Sequence, residues 1–339
     1  MRKKVNTLLL GLLIASMCLC LGSCGKPSQK RSMLAKEWML STDKLKVLST
    51  TAMVDDLVGQ IGGDKVMHMP LIQGNLDPHS YELVKGDHEK IQSADIVFFN
   101  GLDLEHGASL KFLLENSSKS VSLGKHLTET AREQLIDVDA HVDPHIWMDI
   151  ALFSRCIDPI VEELSRKDPE HAKEFRQRGD SLRDTMLALD QDIYQMLQSI
   201  PENRRYLIAS HDAFFYFTRR YLANPHERGM SAWKQRFSAP EGLAPDGQIS
   251  TQDIQKIINH ALQHRILVVF PESNVNRDGV KKIVGVLNKK GLNTRLATEC
   301  LYGDAMGEKG SGAESYLEMM FHNAKTISKY LEQGSVDEL

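Results

Sequence analysis

The chain has 339 residues, 42% of them hydrophobic and 25% charged, a composition that supports one or two ordinary soluble cores. A formal net charge of −4 excludes a strongly basic nucleic-acid surface. No DNA- or RNA-binding signature occurs along the sequence, so nucleic acid is set aside as a partner.

The first residues do not belong to that soluble body. Arg2, Lys3 and Lys4 precede an apolar run from Leu8 to Leu21, the layout of a secretory signal. Gly11 and Gly22 punctuate the run and no second apolar span follows, which argues against a permanent membrane helix. The run ends in Leu21-Gly22-Ser23-Cys24, which resembles the bacterial lipobox. Residues 1–23 are therefore expected to leave as a signal peptide and Cys24 to become the lipidated first residue of the mature protein. That places the chain in the periplasm or on the extracytoplasmic face of a membrane, held through its N-terminal lipid. Residues 24–44 are the lipidated Cys and a polar tether, in which Met33 to Leu40 have the pattern of a short helix. Of five cysteines, Cys18 and Cys20 depart with the signal, while Cys156 and Cys300 remain. That pair permits one disulfide and equally permits two separate thiols.

From Lys46 short apolar runs alternate with amphipathic stretches, the signature of parallel βα units. Val47 to Ser49, Val66 to Ile72, Ile96 to Asn100 and Val121 to Leu123 read as strands, with helices at Ala52 to Ile61, Ser80 to Gln92 and His106 to Leu114. This first lobe spans 45–149. Across 150–202 no strand signal occurs, and Leu182, Met186, Leu189, Ile193, Leu197 and Ile200 recur at helical spacing. They predict one long connecting helix, entered at Asp168-Pro169. A second lobe over 203–339 has strands at Tyr206 to Ser210, Ile266 to Pro271 and Thr294 to Thr298. Its helices fall at Asp212 to Leu222, Thr251 to His264, Val275 to Lys289 and Ala313 to Glu332. Asn224 to Gly247, rich in Pro, Gly and Arg, reads as a surface loop or insertion. The fold class is α/β, with two lobes, each a mostly parallel sheet flanked by helices, joined by the long helix.

One phrase occurs twice, as Asp77-Pro78-His79-Ser80-Tyr81-Glu82 and as Asp143-Pro144-His145-Ile146-Trp147-Met148-Asp149. Proline turns the chain abruptly, an imidazole follows, and an aromatic two residues on can wall off water. A turn needs the Asp-Pro but has no use for the His, so the repeat aims two imidazoles at one point. Ligands of open parallel sheets bind beyond the carboxyl ends of strands. His79 follows the strand ending near Ile72, and His211 comes directly after Leu207-Ile208-Ala209-Ser210. His145 lies where the first lobe meets the connecting helix, and Asp304 sits in a Gly-flanked loop past the last strand. Three imidazoles and one carboxylate make a four-position set for a divalent transition metal. Asp77, Asp143 and Asp149 suit either an acceptor for the non-ligating imidazole N–H or an N-cap of the following helix. Glu272 suits such an acceptor or an alternative oxygen ligand. His68, His88, His106, His141, His226, His260, His264 and His322 have no comparable context and read as structural or solvated.

These residues resemble the metal-specific solute-binding lipoproteins of bacterial ABC importers, the zinc, manganese and iron binders often called TroA-like. The likeness covers almost the whole chain after the tether. It runs through the motifs at 77–82, Asn100-Gly101-Leu102-Asp103-Leu104-Glu105, 143–149, Ser210-His211-Asp212-Ala213-Phe214 and Tyr302-Gly303-Asp304-Ala305-Met306-Gly307. The combination is most similar to the treponemal and chlamydial branch. The resemblance implies a rigid connecting helix and one Zn, Mn or Fe ion as cargo in the inter-lobe cleft, held by His79, His145, His211 and Asp304. It implies no catalysis, and as partners an ABC permease and its separate ATPase; a monomer is expected. The chain itself has no Gly-x-x-x-x-Gly-Lys-Ser/Thr phosphate loop. His211 stands where manganese-preferring relatives carry Glu, and nitrogen-rich sites favour zinc. The long His/Asp-rich loop of dedicated zinc members is absent, since Glu115 to His141 contains only His126 and His141. The choice among Zn, Mn and Fe stays open. Two other functions compete: an exported metallohydrolase with Glu272 or Glu82 as base, and a surface adhesin using Arg228, Lys234 and Arg236 around Trp233 in the insertion.

Overall fold

The computed structural model describes residues 35–138, 141–240, 242 and 250–333. The signal segment, Cys24 and the tether up to residue 34 lie outside the described residues, as do 241 and 243–247 of the expected insertion and 248–249 beyond it. The first lobe is built on β1 (Leu45–Ser49), whose Val47 and Leu48 are wholly buried because both faces of a parallel sheet are covered. α1 (Ala52–Gly62) follows, its N-terminus capped by Thr51 and its Met53, Val54, Leu57, Val58 and Ile61 forming one buried stripe. β2 (Val66–Pro70), α2 (Asp87–Ser93), β3 (Ile96–Phe99), α3 (Ala108–Glu115), β4 (Ser120–Ser122) and α4 (Leu123–Thr130) complete the unit. The sheet order is β2-β1-β3-β4, with every pairing parallel. The expected helix from Ser80 is shorter, because Asp87 takes both the Tyr81 hydroxyl (2.7 Å) and the Val84 N–H (2.9 Å), and Gly86 turns at φ 98°. A small antiparallel hairpin of β5 (Asp137–Val138) and β6 (His141–Val142), absent from the sequence reading, precedes the second Asp-Pro-His.

The long helix expected from Asp168-Pro169 is present, but the rest of the 150–202 span is not continuous with it: a short helical turn, Ile150–Phe153, and a further helix come first. α5 (Ile157–Lys167) stops before Asp168-Pro169, and after a tight turn capped by Asp168 the chain enters α6 (Ala172–Gln198). Proline cannot continue α5, which accounts for the break. Gly179 lets the pair approach, since a Cβ there would lie 2.7 Å from Val161 Cγ2. α6 has 27 residues, a rod of about 40 Å at 1.5 Å per residue. Its buried positions Phe175, Gly179, Leu182, Met186, Asp190, Ile193 and Leu197 keep to a three-and-four spacing.

In the second lobe β7 (Leu207–Ile208) pairs in parallel with β8 (Phe237–Ser238). α7 (Thr251–His264) leads to β9 (Val268–Val269), and α8 (Asp278–Lys289) to β10 (Arg295–Leu296), which pairs in parallel with β9. Phe270 N–H donates to Ile208 O at 2.8 Å and joins the two ladders. α9 (Tyr316–Gln333) closes the lobe. The expected helix over Asp212 to Leu222 is a succession of 3-10, α and π turns, with Phe214, Tyr216, Phe217 and Tyr221 all buried. The stretch read as a surface loop is corrected in part: it contributes β8, and Trp233 and Arg236 are buried. Arg236 pairs with Glu227 at 2.6 Å and Glu202 at 3.1 Å, and Lys234 donates to the Asp137 carbonyl. Arg236 is thereby withdrawn from the expected basic patch, while Lys234 stays exposed and Arg228 half-buried. One hydrophobic core runs from Val47 and Phe98 through Phe153, Met186 and Ile193 to Phe270 and Met320, so the lobes share an interior across the long helix. Cys156, buried, and Cys300, partly exposed, are free thiols.

Candidate metal centre

His79 stands in the loop that leaves β2. The β1–β2 ladder continues past the strand through Leu71 N–H to Ser49 O (2.7 Å) and Ile72 N–H to Thr50 O (3.0 Å) before Pro78 turns the chain. Asp77 closes that turn, its Oδ1 accepting the backbone N–H of His79 at 2.9 Å and its Oδ2 the Ser80 hydroxyl at 2.6 Å. Both oxygens are thus engaged by the turn, which corrects the expectation that Asp77 would hold the imidazole. The second copy is built otherwise. Asp143 Oδ1 accepts the backbone N–H of His145 at 3.0 Å and lies 2.6 Å from its ring Nδ1, fixing the ring and leaving Nε2 to face the site. Asp149 does not reach that ring; its Oδ1 accepts Leu152 N–H at 3.1 Å as a helix cap.

His211 follows β7 in extended conformation, at φ −139° and ψ 175°. Glu272, beyond β9, accepts the N–H groups of Ser210 (2.8 Å) and His211 (2.9 Å) through Oε1. Its Oε2 lies 2.8 Å from His211 Nδ1, close but out of line for a hydrogen bond. Asp304 arrives in the loop after Leu301, where Gly303 permits the approach: a Cβ there would lie 2.2 Å from Glu272 Oε2 and 3.0 Å from His211 Cε1. The Gly303 carbonyl accepts Trp147 Nε1–H at 2.8 Å, and the Trp147 carbonyl accepts the Tyr316 hydroxyl at 2.6 Å. The aromatic of the second Asp-Pro-His phrase therefore ties the two loops together. Asn274 Nδ2 donates to Asp304 Oδ2 at 3.3 Å. Sequence reasoning missed Asn274 and Gly303; the one signal for Asn274 was its place two residues after Glu272.

The four donors converge. His79 Nε2 lies 3.2 Å from His145 Nε2 and 3.9 Å from Asp304 Oδ2; His145 Nε2 lies 3.3 Å from Asp304 Oδ1, and His211 Nε2 3.0 Å from Asp304 Oδ2. All four residues are buried, and their donor atoms fall within 4.8 Å of one another. A tetrahedral ion with bonds near 2.0–2.1 Å sets its donors about 3.3 Å apart, and these four separations, 3.0 to 3.9 Å, lie around that value. His211 Nε2 and Asp304 Oδ1 are buried without a hydrogen-bond partner, a costly condition that an ion would relieve.

Burial opposes charge on each member, and the neighbours decide the outcome. It raises Asp304, but His211 and His145 outweigh it and hold the carboxyl well below its ordinary value. It lowers His145, but Asp143 and Asp304 reverse that and bring the ring up to about 9. His211 is likewise raised against burial, by Asp304 and Glu272. For His79 burial wins and the ring stays well below its ordinary value. The metal-free group is thus held together by protons that a cation can replace.

A closed group of three imidazoles and a carboxylate, set between two α/β lobes that share a long helix, defines a class: binding proteins that carry a single metal ion. The chain belongs to the family described as zinc-uptake complex component A, periplasmic, whose model matches residues 47–330. It is 42% identical over 285 residues to the metal-binding protein YtgA of Chlamydia pneumoniae, covering 84% of this chain and 85% of that one. Among solved structures, Fe(III)-bound YtgA from Chlamydia trachomatis overlays with a TM-score of 0.80 at 37% identity, covering 85% of this chain and 98% of that one. The periplasmic zinc-binding protein TroA from Treponema pallidum overlays with a TM-score of 0.76 at 28% identity, covering 85% and 99%. These are the treponemal and chlamydial relatives to which the motifs pointed.

Proposed function

We propose that the protein is the extracytoplasmic binding component of an ABC metal importer. It captures one transition-metal ion through His79, His145, His211 and Asp304 and delivers it to a membrane permease driven by a separate ATPase. The observation that carries this reading is the closed, buried set of four donors at tetrahedral spacing. A hydrolase would keep one position open for water, and four protein donors fill all four, so the site suits carrying over catalysis. Asp143 orients the His145 ring, and Glu272 holds the backbone that carries His211, with its second oxygen beside that ring. Residues 45–149 and 203–339 form the two lobes and 150–202 joins them, in a chain that works as a monomer. No helix among the described residues is long and apolar enough to cross a membrane, and acyl chains on Cys24, exposed by removal of 1–23, supply the attachment.

Three nitrogens and one carboxylate accept Zn, Fe and Mn, with affinity in the usual order favouring zinc. The family description names zinc, and the two solved relatives name iron(III) and zinc. Metal content after growth in defined Zn, Mn and Fe identifies the cargo. About one ion per chain is expected, with a thermal shift of several degrees on chelation that disappears in His79→Ala with His145→Ala. A wild-type protein that takes up no ion would sink the carrier reading.

A further inference from the structure

Another histidine stands beside the four-donor group. The His106 ring lies 5.8 Å from that of His79, centroid to centroid, at 49°. The rings of His79, His145 and His211 stand 5.1, 5.3 and 6.3 Å from one another. His106 is therefore as far from His79 as two imidazoles that share an ion are from each other. Unlike those three it is exposed, and it is not part of the convergent group.

Its position is built with care. Gly101, Leu102 and Asp103 are three successive residues at positive φ, a strained course for the two that carry side chains. Buried Glu105 holds that course, accepting the N–H groups of Asn100 (2.8 Å) and Gly101 (3.0 Å) and the Thr50 hydroxyl (2.5 Å). Beyond His106, Gly107 packs under Tyr81, where a Cβ would lie 2.1 Å from the Tyr81 carbonyl oxygen. Glu82 accepts Ala108 N–H at 3.1 Å and the Ser109 hydroxyl at 2.6 Å. The loops bearing His79 and His106 are thus clasped together. His106 Nδ1 lies 3.3 Å from the Asp103 carbonyl oxygen, which assigns the ring proton to Nδ1 and the lone pair to Nε2, the form that binds metal.

We propose that His106 and His79 form an outer two-histidine landing site for the metal, an inference that rests on the carrier reading. An arriving aquo ion exchanges water for these two imidazoles. His79, whose ring no carboxylate holds, then pivots and passes the ion to His145, His211 and Asp304 while His106 lets go. Only ligands are exchanged. Because His106 is not a ligand of the resting site, it speeds arrival and departure alike and leaves the equilibrium between them unchanged.

Stopped-flow mixing of the metal-free protein with Zn²⁺, and of the loaded protein with a chromophoric chelator, reads both rates, and competition with the same chelator gives Kd. His106→Ala and His106→Gln should slow association and dissociation together, by about fivefold or more, with Kd within about twofold of wild type. Unchanged rates in both variants overturn the proposal. So does a weakened Kd accompanied by a changed Co²⁺ absorption spectrum, which would make His106 a resting ligand. Failure of the wild type itself to bind Zn²⁺ overturns the carrier reading beneath it, and is distinguished by the wild-type Kd measurement alone.

Discussion

The two Asp-Pro-His turns share three residues and differ in how they are held. In the first, half-buried Asp77 closes the turn and leaves the His79 ring without a carboxylate behind it. In the second, Asp143, Pro144 and His145 are all buried. Asp143 orients the ring, Tyr216 donates to the Asp143 carbonyl at 3.0 Å, and Asn100 donates to the Pro144 carbonyl at 3.0 Å. One turn is a wall held by groups from both lobes, and the other a loop whose imidazole has no carboxylate behind it. A protein that must hold an ion and then let it go has use for both.

The largest effects should come from removing the rings themselves. His79→Ala and His145→Ala should each weaken metal binding by more than about 100-fold, read by chelator competition. They should part company in the metal-free protein. His145→Ala leaves the buried Asp143 carboxylate short of a partner, a loss of about 1–3 kcal/mol, so its melting temperature should drop. His79→Ala strips no such partner and should melt near wild type. Equal melting temperatures for the two variants would erase the distinction between wall and loop.

The carboxylates come next. Asp143→Asn removes the charge behind His145 and should weaken binding by about tenfold, in the range of groups that orient a ligand. Asp77→Asn keeps an oxygen for the His79 N–H and touches no ring, so affinity should stay within about twofold of wild type. Calorimetric titration of both variants compares them directly, and matching losses would mean that Asp77 acts on the ring after all.

The contrast between the turns also marks how far the sequence could be read. The strand ends that bear His79 and His211 were legible because β1, β2, β3, β7 and β9 lie within largely apolar runs bounded by turn residues. β8 and the hairpin of β5 and β6 were not, since these two-residue pairings lie in no longer apolar run, whereas β7 and β9 sit inside Tyr206 to Ala209 and Ile266 to Phe270. Ser80 to Gly86 carried a helical spacing that lost to the hydrogen bonds of Asp87. Arg236 looked like an exposed cation because its partners Glu227 and Glu202 lie 9 and 34 residues away, at no regular helical or strand spacing. The different uses of Asp77 and Asp143 were hidden for the same reason: identical tripeptides depend on which distant groups, Tyr216 and Asn100 in one case, pack around them.

Acidity gives the finest test. Asp143 and Asp304 raise His145 to about 9 against its burial, so its ring keeps a proton at neutral pH in the metal-free protein, whereas burial leaves His79 without one. Loading must therefore expel a proton from the second turn and none from the first, with His211 behaving like His145. A raised folded value stabilises the metal-free fold below the unfolded value of about 6.5, and that contribution is lost as pH climbs through the folded one. The ion competes with the same proton, so apparent affinity should rise with pH throughout the interval below about 9. Calorimetry in two buffers of unequal ionisation heat counts the protons released. Asp143→Asn, which weakens the hold on the His145 proton, should release fewer at neutral pH, and Asp77→Asn as many as wild type. An affinity that stayed flat across this interval would show that the second turn holds no proton for the metal to displace, and the two turns would then differ in rigidity alone.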